Sequence, residues 1–410
     1  MSNLQLQIAV IDDGINEELY KIGELKSNIQ ITPELDIYER VGYDPFMPSH
    51  GTTCAAIIKK YAPDAVLSSV KILNDDSHRG MKAQLIRALE WCVENKIRLV
   101  NLSLGTIDYR DFVEVEKASK YASENGVIIV AACNNRNIFT CPASLENIIG
   151  VNCDKSEELK EREYIYNSIA VDGIEITACG SHKLERYSGE SKVTSACNSF
   201  ATPMVTALAY GIIKNNPSIC LNELKEALKR KAVKPNYIKP SQPENSQRFC
   251  YFNEESTEAP ILAVYNYCEK KSDDFSKKLT DRFRIDGYNA VATYRDESEK
   301  DLCNGRVDIK SYVASEKSSF KESIQRIFNI YDPDIIIVPI NMIEDNQLAY
   351  AKEIESDLDI DIKIYMYETL KIEVTSTNEA KETKIFTFLN DYKIDDLYNY
   401  ILSIFDTYEE

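Results

Sequence analysis

Residues 200–214, Phe-Ala-Thr-Pro-Met-Val-Thr-Ala-Leu-Ala-Tyr-Gly-Ile-Ile-Lys, are almost wholly apolar. The run is too long for a strand and has no polar face, so it predicts a helix buried on every side. Such a helix needs a large core around it, and the residues before it supply one. Apolar strand-like runs at 6–11, 65–73, 97–102 and 127–132 alternate with helical spacing at 51–60, 81–95 and 111–124. That alternation predicts a parallel sheet covered by helices on both faces. Residues 145–190 read as shorter strands and turns, and 221–231 as an amphipathic helix.

A stretch with Pro235, Pro240, Pro243 and nearby Pro260, polar between, then breaks the pattern and reads as a linker over 233–259. It separates a first domain, 1–232, from a second, 260–410. In the second, strands at 261–266, 288–294, 334–339, 361–367 and 371–375 alternate with helices at 274–285, 317–330, 346–357 and 394–406. This predicts a smaller α/β, Rossmann-like accessory domain. It has no glycine-rich phosphate loop, so nucleotide binding lacks support. Its strand 334–339 ends at Pro339-Ile340-Asn341, where a pocket for a peptide substrate or partner protein is expected.

The net charge is −18, of which residues 258–410 carry −13. Nucleic acid would be repelled by this balance, which serves solubility. The eleven cysteines are odd in number, dispersed in apolar segments and nowhere spaced C-x-x-C. Reduced thiols in the cytoplasm fit better than a disulfide framework or a zinc site. The short polar start, Met1 to Gln7, does not resemble a signal peptide. No apolar run approaches the ~20 residues of a membrane span.

Four segments carry candidate chemistry. An apolar strand ends on Asp12-Asp13-Gly14, at the sheet edge where α/β proteins place their sites. Ser49-His50-Gly51-Thr52 puts a histidine ahead of a short helix. The chain holds only His50, His78 and His182, so candidates for a general base are few. The strand 127–132 delivers Asn134, whose amide can donate to a developing oxyanion. Cys197-Asn198-Ser199-Phe200-Ala201-Thr202-Pro203 opens the apolar helix near Ser199, at the positive end of its dipole. Singly, these read as a turn, a capping histidine, a turn asparagine and an N-cap serine.

Together, and in this order, they resemble the subtilase family over about residues 6–230. Asp12 matches the family's aspartate-x-glycine, His50 its H-G-T, Asn134 its A-A-x-N and Ser199 its S-x-A-T-P. Ser103-Leu104-Gly105 resembles the strand lining the substrate cleft, and Pro142-Ala143-Ser144 the family's P-A-S turn. The resemblance implies a serine endopeptidase. Ser199 would be the nucleophile, His50 the base, Asp12 its orienting partner, and Asn134 with the Ser199 N–H the oxyanion hole. Substrate would lie along Ser103, Leu104, Gly105, Ala131 and Ala132, with residues around Thr140 shaping a side-chain pocket. Strand alternation leaves only one of Asp12 and Asp13 able to reach His50, and the family pattern selects Asp12. Asp13 is expected to be solvated or to bind a cation.

The family pattern implies no required cofactor. Structural calcium is common in it, but no ligands can be assigned here. Three residues depart from the pattern: Cys133 and Cys197 stand where glycines are usual, and Asn198 where threonine is. The departures put local backbone geometry in question and place two thiols near the site, read here as small gap fillers. Only eleven residues precede Asp12, which leaves no room for the N-terminal pro-domain of secreted members. The layout is similar to intracellular subtilases that remove leaders from ribosomally made, modified precursor peptides. A general degradative subtilase and a latent pseudo-peptidase scaffold are the alternatives.

Overall fold

The computed structural model describes residues 6–74, 80–237, 259–268, 272–295, 297–313, 319–343, 347–368, 371–377, 383–387 and 394–406. His78, Cys250 and linker residues 238–258 lie outside them. The chain divides into two units, Met1–Tyr251 and Phe252–Glu410.

In the first unit, β1 (Gln7–Asp12), β2 (Ser27–Ile31) and β3 (Ile37–Glu39) precede α1 (His50–Tyr61) and β4 (Val66–Lys71). Then come α2 (Lys82–Glu94), β5 (Leu99–Leu102), α3 (Tyr109–Glu124), β6 (Ile128–Ala132) and β7 (Ile149–Cys153). Short strands follow: β8 (Tyr164–Asn167), β9 (Ile176–Ala178), β10 (Lys183–Glu185) and β11 (Ser191–Val193). The unit closes with α4 (Asn198–Asn215), α5 (Leu221–Lys231) and β12 (Lys234–Tyr237).

One ten-stranded sheet runs in the order β12-β8-β9-β7-β6-β5-β1-β4-β2-β3. From β9 to β2 all pairings are parallel, and antiparallel pairs appear only at β8–β9 and β2–β3. The central strands are apolar on both faces, as strands covered on both sides must be. Ile8 and Val10 of β1 join Cys54, Ile57 and Ile58 of α1 and Met204, Val205 and Tyr210 of α4 in one core. Asp12 has the same parity as Ile8 and Val10, so alternation turns it toward α1 and α4. The apolar run is the expected buried helix, starting at Asn198.

Two strands, β2 and β3, were not legible in the sequence. β3 is the edge strand and β2 the next one in, and of the short segments Ser27–Ile31 and Ile37–Glu39 only Ile31 is buried. Residues 234–237, expected to be linker, add β12 beside β8. Pro235 is tolerated there because an edge strand has one unpaired side.

The second unit holds β13 (Ile261–Asn266), α6 (Ser272–Ile285), β14 (Ala290–Tyr294), β15 (Arg306–Asp308), α7 (Phe320–Tyr331), β16 (Ile335–Asn341), α8 (Gln347–Asp357), β17 (Ile362–Tyr367), β18 (Lys371–Ser376), β19 (Thr383–Thr387) and α9 (Ile394–Asp406). Its sheet order is β15-β14-β16-β13-β17-β18-β19, parallel as far as β17 and antiparallel after it. Leu262, Phe283, Ile337, Ile364, Tyr398 and Ile401 belong to a core of its own. At the end of β13, Asn266 closes on itself: its Nδ2 donates to the Cys268 carbonyl and its Oδ1 accepts from the Cys268 N–H.

Ile129 is fully buried at the centre of the large sheet. Ile129→Ala is expected to destabilise the first unit by about 2–5 kcal/mol. Urea unfolding would show a lower midpoint at unchanged slope.

Candidate active site

Parallel strands leave their C-terminal ends at one edge, and the helices that follow start there. Asp12 ends β1, Ala132 ends β6 just before Asn134, and His50 and Ser199 occupy the first turns of α1 and α4. The sequence candidates therefore converge because of topology.

Asp12 is 1% exposed. Both its carboxylate oxygens lie 2.9 Å from His50 Nδ1. A carboxylate only accepts, so Nδ1 carries the proton and Nε2 is left as the basic nitrogen. The Asp13 N–H donates to Asp12 Oδ1 at 2.9 Å and holds the carboxylate in place. Burial raises the Asp12 pKa, against the pull of His50. Burial likewise lowers that of His50, but the neighbouring Cys54 and Asp12 outweigh it and carry His50 above its ordinary 6.5. Burial also raises the Cys54 thiol, which is then neutral near pH 7, so the Asp12 carboxylate is the effective cause.

Asp13 differs from expectation. It is buried, and its two oxygens accept the His50 N–H at 2.9 Å and the Gly51 N–H at 2.7 Å. These are unsatisfied donors of the α1 N-terminus, so Asp13 anchors the helix that bears His50. Ser49 completes the cap by accepting from the Thr52 N–H at 3.1 Å. Gly51 is required by close approach: a Cβ there would stand 2.7 Å from the Gly14 carbonyl oxygen and 3.0 Å from Asp12 Cβ.

At α4, Pro203 cannot donate the helical hydrogen bond to the Ser199 carbonyl four residues back. With the helix starting at Asn198, Pro203 lies beyond the first turn, later than the sequence suggests. Ser103 fills the vacancy: its Oγ donates to the Ser199 carbonyl at 2.9 Å. Cys54 Sγ approaches the same carbonyl at 3.6 Å. Behind Ser103, Asn101 Nδ2 donates to its Oγ at 3.1 Å, and Thr206 of α4 donates to Asn101 Oδ1 at 2.9 Å. This buried chain ties the start of α4 to β5. Its members Asn101, Thr206 and Cys54 carry no motif of their own and read in the sequence as core positions.

The Ser199 hydroxyl donates to the Ser103 carbonyl at 3.3 Å and not to His50. Catalytic hydrogen bonds are often loose without substrate, and a hydroxyl turns about one bond. The His50 ring stacks on Phe200, the residue after Ser199, with centroids 5.2 Å apart. The Ser199 N–H belongs to the first turn of α4, where the helix supplies no acceptor.

Asn134 Oδ1 accepts from the N–H groups of Arg136 at 2.9 Å and Ile138 at 3.2 Å. Its Nδ2 is thus the end left to donate. Thr140 is buried, and its hydroxyl accepts the Asn134 N–H at 3.0 Å. It therefore supports the Asn134 loop. Ser103 is buried, Leu104 half-buried and Gly105 exposed, while Thr106 pairs with Cys141 in an antiparallel bridge. Ala131 and Ala132, expected along the substrate, are 0% and 3% exposed within β6. Cys197 has extended backbone, φ −150°, which any residue adopts, and Cys133 is buried with its Sγ 3.5 Å from the Ile138 carbonyl. Neither position needs a glycine conformation.

Among the described residues, Asp12, His50 and Cys54 form the one group of His, Cys and acidic side chains close enough to share an ion. One carboxylate, an imidazole and a thiol do not make the oxygen-rich set that calcium takes, and the carboxylate is committed to His50. No helix among the described residues is long and apolar enough to cross a membrane.

A sequence model of the Subtilase family matches residues 5–257. Subtilisin BL of Lederbergia lenta is 28% identical over 237 residues, which cover 54% of this chain and 86% of that protein. M-protease of Shouchella clausii (strain KSM-K16) is 28% identical over 237 residues, 54% of this chain and 60% of its own length. Among solved structures, a cold adapted subtilisin-like serine proteinase is 24% identical with TM-score 0.43, covering 54% of this chain and 80% of its own. A lanthipeptide protease is 17% identical with TM-score 0.44, covering 56% and 81%.

Two measurements follow from this geometry. Ser103→Ala removes the hydroxyl donor to the partly buried Ser199 carbonyl, leaving only the weak Cys54 thiol beside it, and should cost about 1 kcal/mol in urea unfolding. If His50 acts as a base, only its neutral form works. Its raised pKa then places the acid limb of the kcat/KM profile above pH 6.5, with rate rising as pH rises. The stability of the His50–Asp12 ion pair runs the other way. The His50 contribution is complete below pH 6.5, as far down as Asp12 stays ionised, and fades as pH climbs through the raised value.

Proposed function

Since the chain belongs to the subtilase family of serine endopeptidases, we propose that it hydrolyses peptide bonds with Ser199 as nucleophile, His50 as general base and acid, and Asp12 as the group that orients His50. The observation that carries this reading is the buried Asp12 carboxylate at 2.9 Å from His50 Nδ1, beside the segment that bears Ser199. His50 Nε2 takes the Ser199 proton as Oγ attacks the scissile carbonyl, and later gives it to the leaving amine. Asn134 Nδ2 and the Ser199 N–H receive the negative charge that develops on the carbonyl oxygen. Leu104 and Gly105 offer backbone to an extended substrate. No metal takes part in these steps.

We further propose a selective role: removal of a leader from a ribosomally made precursor peptide in the cytoplasm. Two features support it. The sheet and core of the second unit, from Ile261 onward, lie beyond the residues that the family model matches, and are available to dock one particular substrate. The ten described cysteines are all free, in keeping with a reducing compartment.

Fluorophosphonate labelling of the full chain, with the labelled peptide identified by mass spectrometry, tests the chemistry. Label on Ser199 alone is expected, and its loss in Ser199→Ala, with turnover falling on the order of a million-fold. A folded wild type that takes no label would overturn the assignment. Cleavage of a single precursor and not of casein is the outcome expected of the selective role. Broad casein digestion would identify a degradative enzyme instead.

A further inference from the structure

The two proposed oxyanion donors, Asn134 Nδ2 and the Ser199 N–H, belong to segments 65 residues apart in sequence. Something must set their separation, since a donor acts only when it sits about 3 Å from where the oxyanion forms. Asn198, directly before Ser199, is fully buried. Its side chain leaves the start of α4 and crosses to the ends of β6 and β7. Asn198 Nδ2 donates to the Asn134 carbonyl at 2.7 Å and to the Cys133 carbonyl at 3.1 Å, with Asn137 Oδ1 at 3.2 Å. Asn198 Oδ1 accepts the Cys153 N–H at 2.7 Å. The Asn198 backbone N–H faces Asn135 Oδ1 at 3.4 Å.

We infer that Asn198 is a positioning residue for catalysis: it locks the backbone of Asn134 to the backbone of Ser199 and so fixes the spacing of the two oxyanion donors. This rests on the proposed roles of Asn134 and Ser199 and adds a residue to them. Asn134 is then held at every other polar atom. Asn198 and the Asn137 N–H hold its carbonyl, Thr140 its N–H, and the Arg136 and Ile138 N–H groups its side-chain oxygen. The amide hydrogens of Asn134 are what remains, aimed by the rest. A planar amide is suited to the work at position 198, because it donates and accepts at once across a gap between two strands. A threonine has a single hydroxyl there and cannot span both contacts. The departure from the family pattern at this position thus has a physical use.

Asn198 touches no reacting atom, so its effect must pass through Asn134. An internally quenched peptide cut by the wild type, assayed with the full chain and corrected by fluorophosphonate titration, gives the readout. Asn198→Thr should lower kcat about 10- to 100-fold, as a small misplacement of a catalytic group does, with KM within about twofold. The deciding experiment is the double-mutant cycle. In an Asn134→Ala background, Asn198→Thr should cost less than about threefold more, because the donor it aims is already gone. The same fold-loss in both backgrounds, or a fall in melting temperature with kcat unchanged, would overturn the inference. Asn198→Ser, smaller at the same site, replaces Asn198→Thr if that variant does not fold. Its kcat loss and coupling to Asn134→Ala decide by the same criteria. If Asn134→Ala alone keeps full rate, the oxyanion assignment itself fails, a result distinct from additivity in the cycle.

Discussion

Two adjacent buried carboxylates, Asp12 and Asp13, cannot stay in the fold unless each finds donors, since an unpaired buried charge costs several kcal/mol. Asp12 takes the imidazole of His50, and Asp13 takes the first N–H groups of the same helix. One short turn after β1 therefore fixes both the position of α1 and the orientation of the ring at its start. Gly51 makes the arrangement possible by letting the helix end come against the Gly14 carbonyl without a side chain between. The rest of the site is arranged around this docked pair.

The other half depends on groups that a helix start leaves unsatisfied. Pro203 takes away the donor that would have held the Ser199 carbonyl, and Ser103 supplies one from a neighbouring strand. The Ser199 N–H is unclaimed by the helix. Asn198 links that turn to the loop bearing Asn134. Each link joins two strand ends or a strand to a helix, so site geometry and sheet geometry are one quantity. A shift of α4 along the sheet would strain the Ser103 and Asn198 contacts together.

Much of this was legible in the sequence. The apolar run 200–214 required a buried helix, and the runs around Ile8, Leu99 and Ile129 required covered strands. Asp12, His50 and Ser199 were legible because their residue types are scarce or sit at element ends in a familiar order. The short strands β2 and β3 were not, because only Ile31 of the two is buried and so little of their sequence is constrained by a core. Asp13 was misjudged because strand alternation stops where the strand does, and the turn at Gly14 brings it back to α1. Residues around Thr140 were expected to shape a pocket and the two alanines of β6 to line the substrate, yet Thr140 and both alanines are buried. Asn198 was visible only as a departure. Its use depends on three carbonyl and amide groups that are remote in sequence and become neighbours only when β6 and β7 pair.

The order of the elements has a consequence in time. A ribosome delivers Asp12 and His50 early, Asn134 later, and Ser199 only with the start of α4. The core that seats α4 includes strands from across the whole unit, among them β1, β6, β7 and β9. A partly made chain carries His50 and Asp12 but neither Ser199 nor the helix that presents it. On the proposed roles, a chain that stops before α4 therefore lacks the nucleophile, and the site is complete only once α4 has packed on the sheet.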